Sequence, residues 1–401
     1  MTKASLRDLK RDELTGRTAL VRADLNIPLE DGRVADDTRI RATLPTLRLL
    51  REAGARTVVI SHLGRPEGEP NSDLSLRPVA ERLRELLDGT VRFHPGLVGQ
   101  DVRSAVAALA DGDVLVLENT RFEAGETTND PVLAGALAGL ADLFVNDAFG
   151  AAHRAHASTS GVAEQLQKRG GRAVAGLLME KELDFLGRVM GEPDRPFVAV
   201  LGGAKISGKI DVIQALLSRV DRLLVGGAMA NTFFQALGLE VGASLVEDDR
   251  VEVARNILRV AGDRLLLPVD CVVADRLESR TSTRTVPRDT VRHGDRIGDI
   301  GTASQTLFGR VIAEARTIVW NGPIGVFELP PFREGTVALA RAVADATDRG
   351  ALTVVGGGDS AAAAELAGVT ARISHVSTGG GASLEFLAGD PLPGVRALSD
   401  R

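Results

Sequence analysis

Short runs of β-branched and aliphatic residues alternate along the whole chain with stretches whose apolar positions recur at helical spacing. A strand covered on both faces reads as a continuous apolar run, so this alternation predicts parallel sheets with helices on either side, the α/β class. In the first half the predicted strands are TALVRADLNIPL from Thr18, TVVISHL from Thr57, DVLVLENTR from Asp113 and LFVNDAFG from Leu143, with a helix from Asp37 to Ala53 opened by capping residues. In the second half they are FVAVLGGA from Phe197, RLLVGGAM from Arg222, LLLPVDCVVA from Leu265, RTIVWNGPIG from Arg316, LTVVGGGDS from Leu352 and ISHVSTGGG from Ile373. Each runs into polar or glycine-rich residues, and in open α/β sheets ligands bind just outside the carboxyl ends of the strands.

The residues at those ends differ between the halves. Before about Gly170 they are Asp24, Asn26, His62, Arg65, Arg121 and Arg154; after Phe197 they are glycines, Lys205, Lys209, Asn321 and Asp359. One half suits a small anion and the other a nucleotide. A chain of 401 residues favours two domains at roughly 150 residues each, here residues 1–170 and 192–388. The segment from Gly171 to Gly191 reads as a single connecting helix, and Ser279 to Arg296, charged and proline-interrupted, as a surface excursion.

The first chemical cluster is arginine-rich: Arg22, Arg39, Arg65, Arg121 and Arg154, with His62, His153 and His156 in the neighbouring motifs. Guanidinium is permanently charged and forks onto phosphate or carboxylate, which points to a small polyanion. A single arginine is more often a solvated or ion-paired surface group, and a histidine more often a structural one; recurrence at successive strand ends is what favours a site. In LGGAKISGKI from Leu201, a strand ending in glycines and opening a helix offers amides to phosphate, with Lys205 and Lys209 on one helical face. Two solvated helix lysines are the plain alternative. Gly203 to Lys209 also matches G-x-x-x-x-G-K, but Ile210 stands where a P-loop places the Mg²⁺-ligating hydroxyl, so a P-loop NTPase is the competing reading. VVGGGDS at Val354 to Ser360 and STGGG at Ser377 to Gly381 repeat the device. Asp359 is placed to hold Mg²⁺ or, more plainly, to cap the following helix.

Composition narrows the classes. With 44% hydrophobic and 25% charged residues the chain is an ordinary globular protein. A net charge of −6 provides no global field for nucleic acid or an anionic membrane. Cys271 is the single cysteine, which excludes disulfide frameworks and cysteine-rich zinc sites and suits a reducing cytoplasm. The N-terminus lacks the apolar core of a secretion signal, and no stretch approaches the roughly 20 apolar residues of a membrane span. No Ser-His-Asp or Cys-His set stands out, and phosphoryl transfer hardly needs one, because its charge-rich transition state is stabilised by positioning and cations.

These motifs, in this order, resemble phosphoglycerate kinases along essentially the whole chain. The resemblance implies two doubly wound, Rossmann-like parallel-sheet domains joined by a hinge helix, with residues from about 389 to 401 returning to the first domain. It implies that Asp24 and Asn26, with Arg22 adjacent, meet the hydroxyl and carboxylate region of 3-phosphoglycerate, that His62 and Arg65 belong to a substrate-binding His-x-x-Arg segment, that Arg39 meets the carboxyl group undergoing transfer, and that Arg65, Arg121 and Arg154 grip the other phosphate. In the second domain it places Lys205 near the transferring phosphoryl group, Lys209 and Asn321 on the nucleotide phosphates and Glu328 on the ribose. Gly357, Gly358, Asp359 and Ser360 then bind nucleotide, Asp359 holds Mg²⁺, and the amides around Gly380 face the transferring group. Ile297-Gly298 depart from the Gly-Leu pair common in the family near the adenine. The implied reaction passes a phosphoryl group between 1,3-bisphosphoglycerate and MgADP, in a cytoplasmic monomer that closes its domains. A nucleotide-regulated binding module, the other alternative, would need the glycine-rich turns but not the arginines.

Overall fold

The run beginning at Thr18 becomes a strand, Thr18–Ala23, buried at every position, as a strand covered on both faces must be. In the computed structural model, which describes residues 3–401, it lies inside a six-stranded sheet. From edge to edge the strands are Val91–Phe93, Val114–Val116, Arg56–Ile60, Thr18–Ala23, Leu143–Asp147 and Arg172–Ala175, and every pairing is parallel. Helices such as Thr38–Glu52 and Arg77–Leu86 bury Leu47, Leu50, Val79 and Leu83 against Val21, Val59 and Val116. Each such side chain is worth about 1.5–3 kcal/mol on leaving water.

This sheet belongs to the first of two compact units, residues up to Asp184 together with Pro391–Arg401. The C-terminal segment joins it by backbone bonds: Ser399 N–H donates to the Ala173 carbonyl at 2.8 Å and the Ser399 carbonyl accepts from Ala4 at 2.9 Å.

The second unit is Phe185–Asp390. Its six-stranded sheet runs Leu265–Leu266, Arg222–Val225, Phe197–Leu201, Thr317–Asn321, Leu352–Gly356 and His375–Val376, again all parallel. In chain order this is 3-2-1-4-5-6, the doubly wound arrangement whose direction reverses between strands 1 and 4. The reversal therefore falls between Phe197–Leu201 and Thr317–Asn321. In the first unit it falls between Thr18–Ala23 and Leu143–Asp147. Trp320, Phe308, Val343 and Val355 fill the core beside the second sheet.

Three sequence expectations are corrected. The segment from Gly171 is not one helix: Arg172–Ala175 pairs as an edge strand with Leu143–Asp147, and the helix is Leu177–Met190. A short alanine- and valine-rich run satisfies either period, and the open sheet edge decides. The run LLLPVDCVVA splits at Pro268, with Leu265–Leu266 in the main sheet and Asp270–Ala274 in a separate three-stranded antiparallel sheet. The excursion from Ser279 supplies another strand of that small sheet, Arg284–Pro287.

Candidate functional site

At the carboxyl end of Thr18–Ala23, Arg22 is fully buried. Its Nε donates to the Ser158 hydroxyl at 2.8 Å, and that hydroxyl donates to the buried Glu126 carboxylate at 2.5 Å. A second Arg22 nitrogen lies 2.9 Å from Nδ1 of His62. Guanidinium has no acceptor, so Nδ1 accepts and the His62 proton sits on Nε2. Burial, followed by the charges of Arg22, Arg121, Arg39 and His156, holds His62 well below its usual pKa; the ring is neutral and fixed in one tautomer.

A polar, arginine-rich face is built around this buried arginine. Arg39, in the first turn of Thr38–Glu52, donates to the buried Asp24 carboxylate at 2.8 Å while about a third of its side chain stays exposed. Asn26 accepts from the Gly64 amide through its side-chain oxygen, and Arg121 donates to the Gly64 carbonyl at 2.6 Å. Arg121 is pushed below its usual pKa by burial first and then by Arg22, Arg154 and Arg65, with Glu126 opposing. These guanidinium groups therefore share one patch. Arg65 and Arg154 are exposed, and neither they nor Arg121 has an acid within ion-pair distance among the described residues. Arg154 Nε lies 3.1 Å from Nε2 of its neighbour His153. His156 is brought down to about 4, chiefly by burial, so it too is neutral. The structure thus gathers the sequence-predicted arginines and His62, but makes Arg22 internal scaffolding.

In the second unit the reversal point carries Lys209. Its ammonium donates to the Gly202 carbonyl at 2.6 Å and to the Asn321 side-chain oxygen at 2.8 Å, one from each flanking strand end. Burial pushes it down to about 8, opposed by the charge of Asp359. The backbones approach so closely here that a Cβ on Gly202 would lie 2.0 Å from the Pro323 carbonyl oxygen. The helix expected straight after these glycines begins only at Ile210, preceded by a 3-10 turn at Ser207–Lys209, so Lys205 and Lys209 do not share an α-helical face. Glu247 explains the difference: its carboxylate accepts from the Ile206 and Ser207 amides and from the Ser207 hydroxyl. This leaves Lys205 exposed.

Gly357, at φ +96°, occupies the cap of the helix Gly358–Leu366. Asp359 therefore lies inside the first turn, exposed, and does not serve as the cap. Ser360 is buried and its hydroxyl accepts from the Gly322 amide at 2.6 Å, locking this turn to the strand end after Asn321. Gly380 packs so tightly on Gly357 that an added Cβ would meet its Cα at 2.7 Å.

Beside these turns is a cavity of about 280 Å³, lined by Phe234, Ile297, Gly298, Ile324 and Val326, with Glu328 and Asp359 among its exposed wall residues. An apolar slot with a few polar groups is the usual form of a small-molecule pocket. Among the described residues no three His, Cys, Asp or Glu side chains group as a metal site. The exposed Asp359 carboxylate on a glycine-rich turn fits Mg²⁺, which is commonly held by one or two carboxylates and substrate phosphates.

Sequence reasoning missed Glu126 and Glu247. Both stand in acidic stretches, AGETTND and VEDDR, that read as solvated loop; nothing local marks the one carboxylate in each that turns inward.

The family model described as phosphoglycerate kinase matches residues 6–390. The phosphoglycerate kinase of Rubrobacter xylanophilus is 55% identical over 401 residues, 100% of this chain and 99% of the relative. That of Chloroflexus aurantiacus is 55% identical over 406 residues, covering 100% of both. Among solved structures, phosphoglycerate kinase from Coxiella burnetii superposes with a TM-score of 0.88 at 40% identity, and that from Pyrococcus horikoshii with 0.85 at 35%, each covering 98% of both chains. Matches over nearly the whole length replace the P-loop NTPase and binding-module readings, and the chain belongs to the phosphoglycerate kinase family.

Proposed function

We propose that the guanidinium cluster of the first unit holds the phosphoglycerate and that the turns and cavity of the second hold the nucleotide, a division of labour for the family's reversible transfer between 1,3-bisphosphoglycerate with ADP and 3-phosphoglycerate with ATP. The observation that carries this reading is the set of solvent-facing guanidinium groups left without acidic partners, in a unit separate from the cavity and its glycine turns. Arg65, Arg121 and Arg154 grip the phosphate that is not transferred. Asp24, Asn26 and the Nε2–H of His62 orient the hydroxyl and carboxyl end, and Arg39 lies against the carboxyl oxygen that exchanges the phosphoryl group. Asn321, Glu328, Gly357, Gly358, Asp359 and Ser360 hold the nucleotide, while Lys205, Lys209 and the amides at Gly380 meet the moving phosphoryl group. Asp359 would hold the Mg²⁺ carried by ADP or ATP, which would supply positive charge against the phosphates.

In the forward direction a terminal oxygen of ADP attacks the acyl phosphate phosphorus. The bond from phosphorus to the carboxyl oxygen breaks, and a carboxylate leaves. Both the attacking oxygen and the leaving group are anions at neutral pH, so no proton needs to move. The protein's task is to place charges where the equatorial oxygens gather electron density.

Replacing Asp359 with Asn should therefore weaken MgADP and MgATP by about tenfold or more while changing the metal-free nucleotides little, since the amide keeps the shape but loses the charge that Mg²⁺ prefers. Titration calorimetry with and without Mg²⁺ reads this. Equal losses in both conditions would remove Asp359 from the metal.

Assigning the reactants to different units makes transfer depend on the units coming together, because the reacting atoms must approach within roughly 3–3.5 Å and water must be kept from the acyl phosphate. The connector 171–191, helical over Leu177–Met190, is the proposed hinge, between a phosphoglycerate domain (1–170 with the tail 389–401) and a nucleotide domain (192–388). Solution scattering should give a smaller radius of gyration with 3-phosphoglycerate and MgADP together than with either alone. An unchanged radius in an active enzyme would refute closure. The buried, unpaired Cys271 and the lack of any long apolar helix among the described residues support a cytoplasmic setting. Family resemblance supports a monomer, which scattering mass would test.

A further inference from the structure

Asp299 is the penultimate residue of the strand Arg296–Ile300 and is buried. Its Oδ1 accepts from the Ile300 amide at 2.8 Å and its Oδ2 from the Gly335 amide at 2.7 Å. Gly335 is the second residue of the helix Glu334–Asp348, so the carboxylate ties the head of that helix to the strand. The next residue, Thr336, is also buried, and its hydroxyl oxygen accepts from the Ile324 and Gly325 amides at 3.2 and 3.1 Å. Val326 completes the clamp by donating to the Gly298 carbonyl at 2.8 Å. A Cβ on Gly325 or on Gly335 would lie 2.3 Å from the Asp299 Oδ1, so both backbones press on the carboxylate. Ile324, Gly325 and Val326 line the cavity of the second unit. That stretch of wall therefore rests on Asp299 and Thr336.

We propose that Asp299 is a positioning residue for the nucleotide: ionised, it fixes the head of the helix Glu334–Asp348 to the strand and thereby holds the cavity wall at Ile324–Val326 in place. The proposal rests on the nucleotide-site reading above and adds to it a residue that acts through the wall. Burial raises Asp299 to about 7; the Gly335 and Ile300 amides oppose this, and Glu334, at the head of the same helix, adds a like charge. Arg333 before that helix, Asp270 and Cys271 on the paired strand, Arg296 on its own strand, and Glu328 and Asp359 in the cavity wall make no bond to it. Protonation turns one carboxylate oxygen into a hydroxyl donor and weakens the amide bond made to it. The wall is then held less firmly as pH falls through 7. Because its folded pKa is raised, the contribution of Asp299 to stability is complete below 3.8 and lost as pH rises through 7. A loss of nucleotide use on acidification is thus not unfolding driven by this group.

The test measures kcat and KM for MgATP with saturating 3-phosphoglycerate across neutral pH. In the natural enzyme kcat/KM should fall by about tenfold as pH drops through 7, chiefly through KM, since kcat/KM reports groups of the free enzyme. Asp299→Asn, of the same size but with an NH₂ in place of one acceptor, should raise KM for MgATP by about tenfold above pH 7, abolish the acid step and leave KM for 3-phosphoglycerate unchanged. Thr336→Val should raise KM for MgATP but keep the acid step, and an unchanged KM there overturns the proposal. If Asp299 only supports the fold, Asp299→Asn lowers the active fraction, so that kcat falls with both KM values and the acid step unchanged, and the proposal is overturned. A step retained in Asp299→Asn belongs to another group or to the nucleotide phosphates and overturns it too. So does a natural enzyme with no step near pH 7, so a misfolded variant does not protect it. Ala228→Trp separates the two levels: this bulky side chain in the cavity wall should raise KM for MgATP, and if it does not, the nucleotide-site reading itself fails.

Discussion

Arg39→Ala should lower turnover by about 10²–10³-fold while leaving nucleotide affinity nearly intact, the range seen when one preorganised donor is removed from a developing charge. The structure gives this arginine an anchor and free donors. Asp24, itself buried, holds one nitrogen at 2.8 Å, and about a third of the side chain remains open. The helix Thr38–Glu52 begins one residue before it, so its backbone is fixed. An arm held this way loses little rotamer freedom when the transition state forms. Arg39→Lys should recover only part of the loss, because an ammonium on a flexible stem cannot span Asp24 and the reacting carboxyl oxygen together. Steady-state kinetics in both directions, with nucleotide binding measured separately, read the outcome. Near-normal turnover in Arg39→Ala would take it out of the mechanism.

The sheets were legible because their central strands are buried on both faces. VVI of Arg56–Ile60 and IVW of Thr317–Asn321 are apolar without interruption, and no helix periodicity competes with them. The helix predicted from Asp37 to Ala53 lies within a residue of Thr38–Glu52. What the sequence hid were the edges. Val91–Phe93 and Arg172–Ala175 are short, too short to establish a period, and exist because a neighbouring strand offers unpaired backbone groups. The antiparallel sheet of Asp270–Ala274, Arg284–Pro287 and Arg296–Ile300 was hidden for a related reason, since its middle member in sequence is a largely exposed strand held by backbone pairing and by the ion pair of Arg284 with Asp295.

The site was legible to the extent that chemistry sits at strand ends. Arg39, Arg65, Arg121, Arg154, Lys209 and Asp359 are all recognisable by position along the chain. Whether each faces solvent is not, because that depends on partners distant in sequence. Arg22 looks like the other arginines, but Ser158 and Glu126, more than a hundred residues away, draw it inside. Glu247 likewise reaches back to Ser207 and delays the helix that the glycines announce.

Lys209→Met should lower turnover by about 10²–10³-fold, and the natural enzyme's pH profile should show why. The ammonium bridges the ends of the two strands at the reversal of the sheet, through the Gly202 carbonyl and the Asn321 side chain. It is thus held at the position where a doubly wound sheet receives its ligand. Burial depresses it from the ordinary 10.5 to about 8, with only Asp359 drawing it back. In the free enzyme the charge is therefore complete well below pH 8 and lost as pH rises through that value. Bound phosphates favour the ammonium and raise its pKa again, so the loss belongs to the free enzyme and appears in kcat/KM for nucleotide more than in kcat. Between pH 8 and 10.5 the unfolded chain holds this proton more tightly than the folded one, so the Lys209 contribution to stability rises over the same interval in which activity falls. The decline in kcat/KM is then a local loss of charge and not the onset of unfolding. In Lys209→Met the step near pH 8 should vanish along with most of the activity. Turnover within tenfold of the natural enzyme, or an unaltered alkaline step in the variant, would show that another group carries the charge.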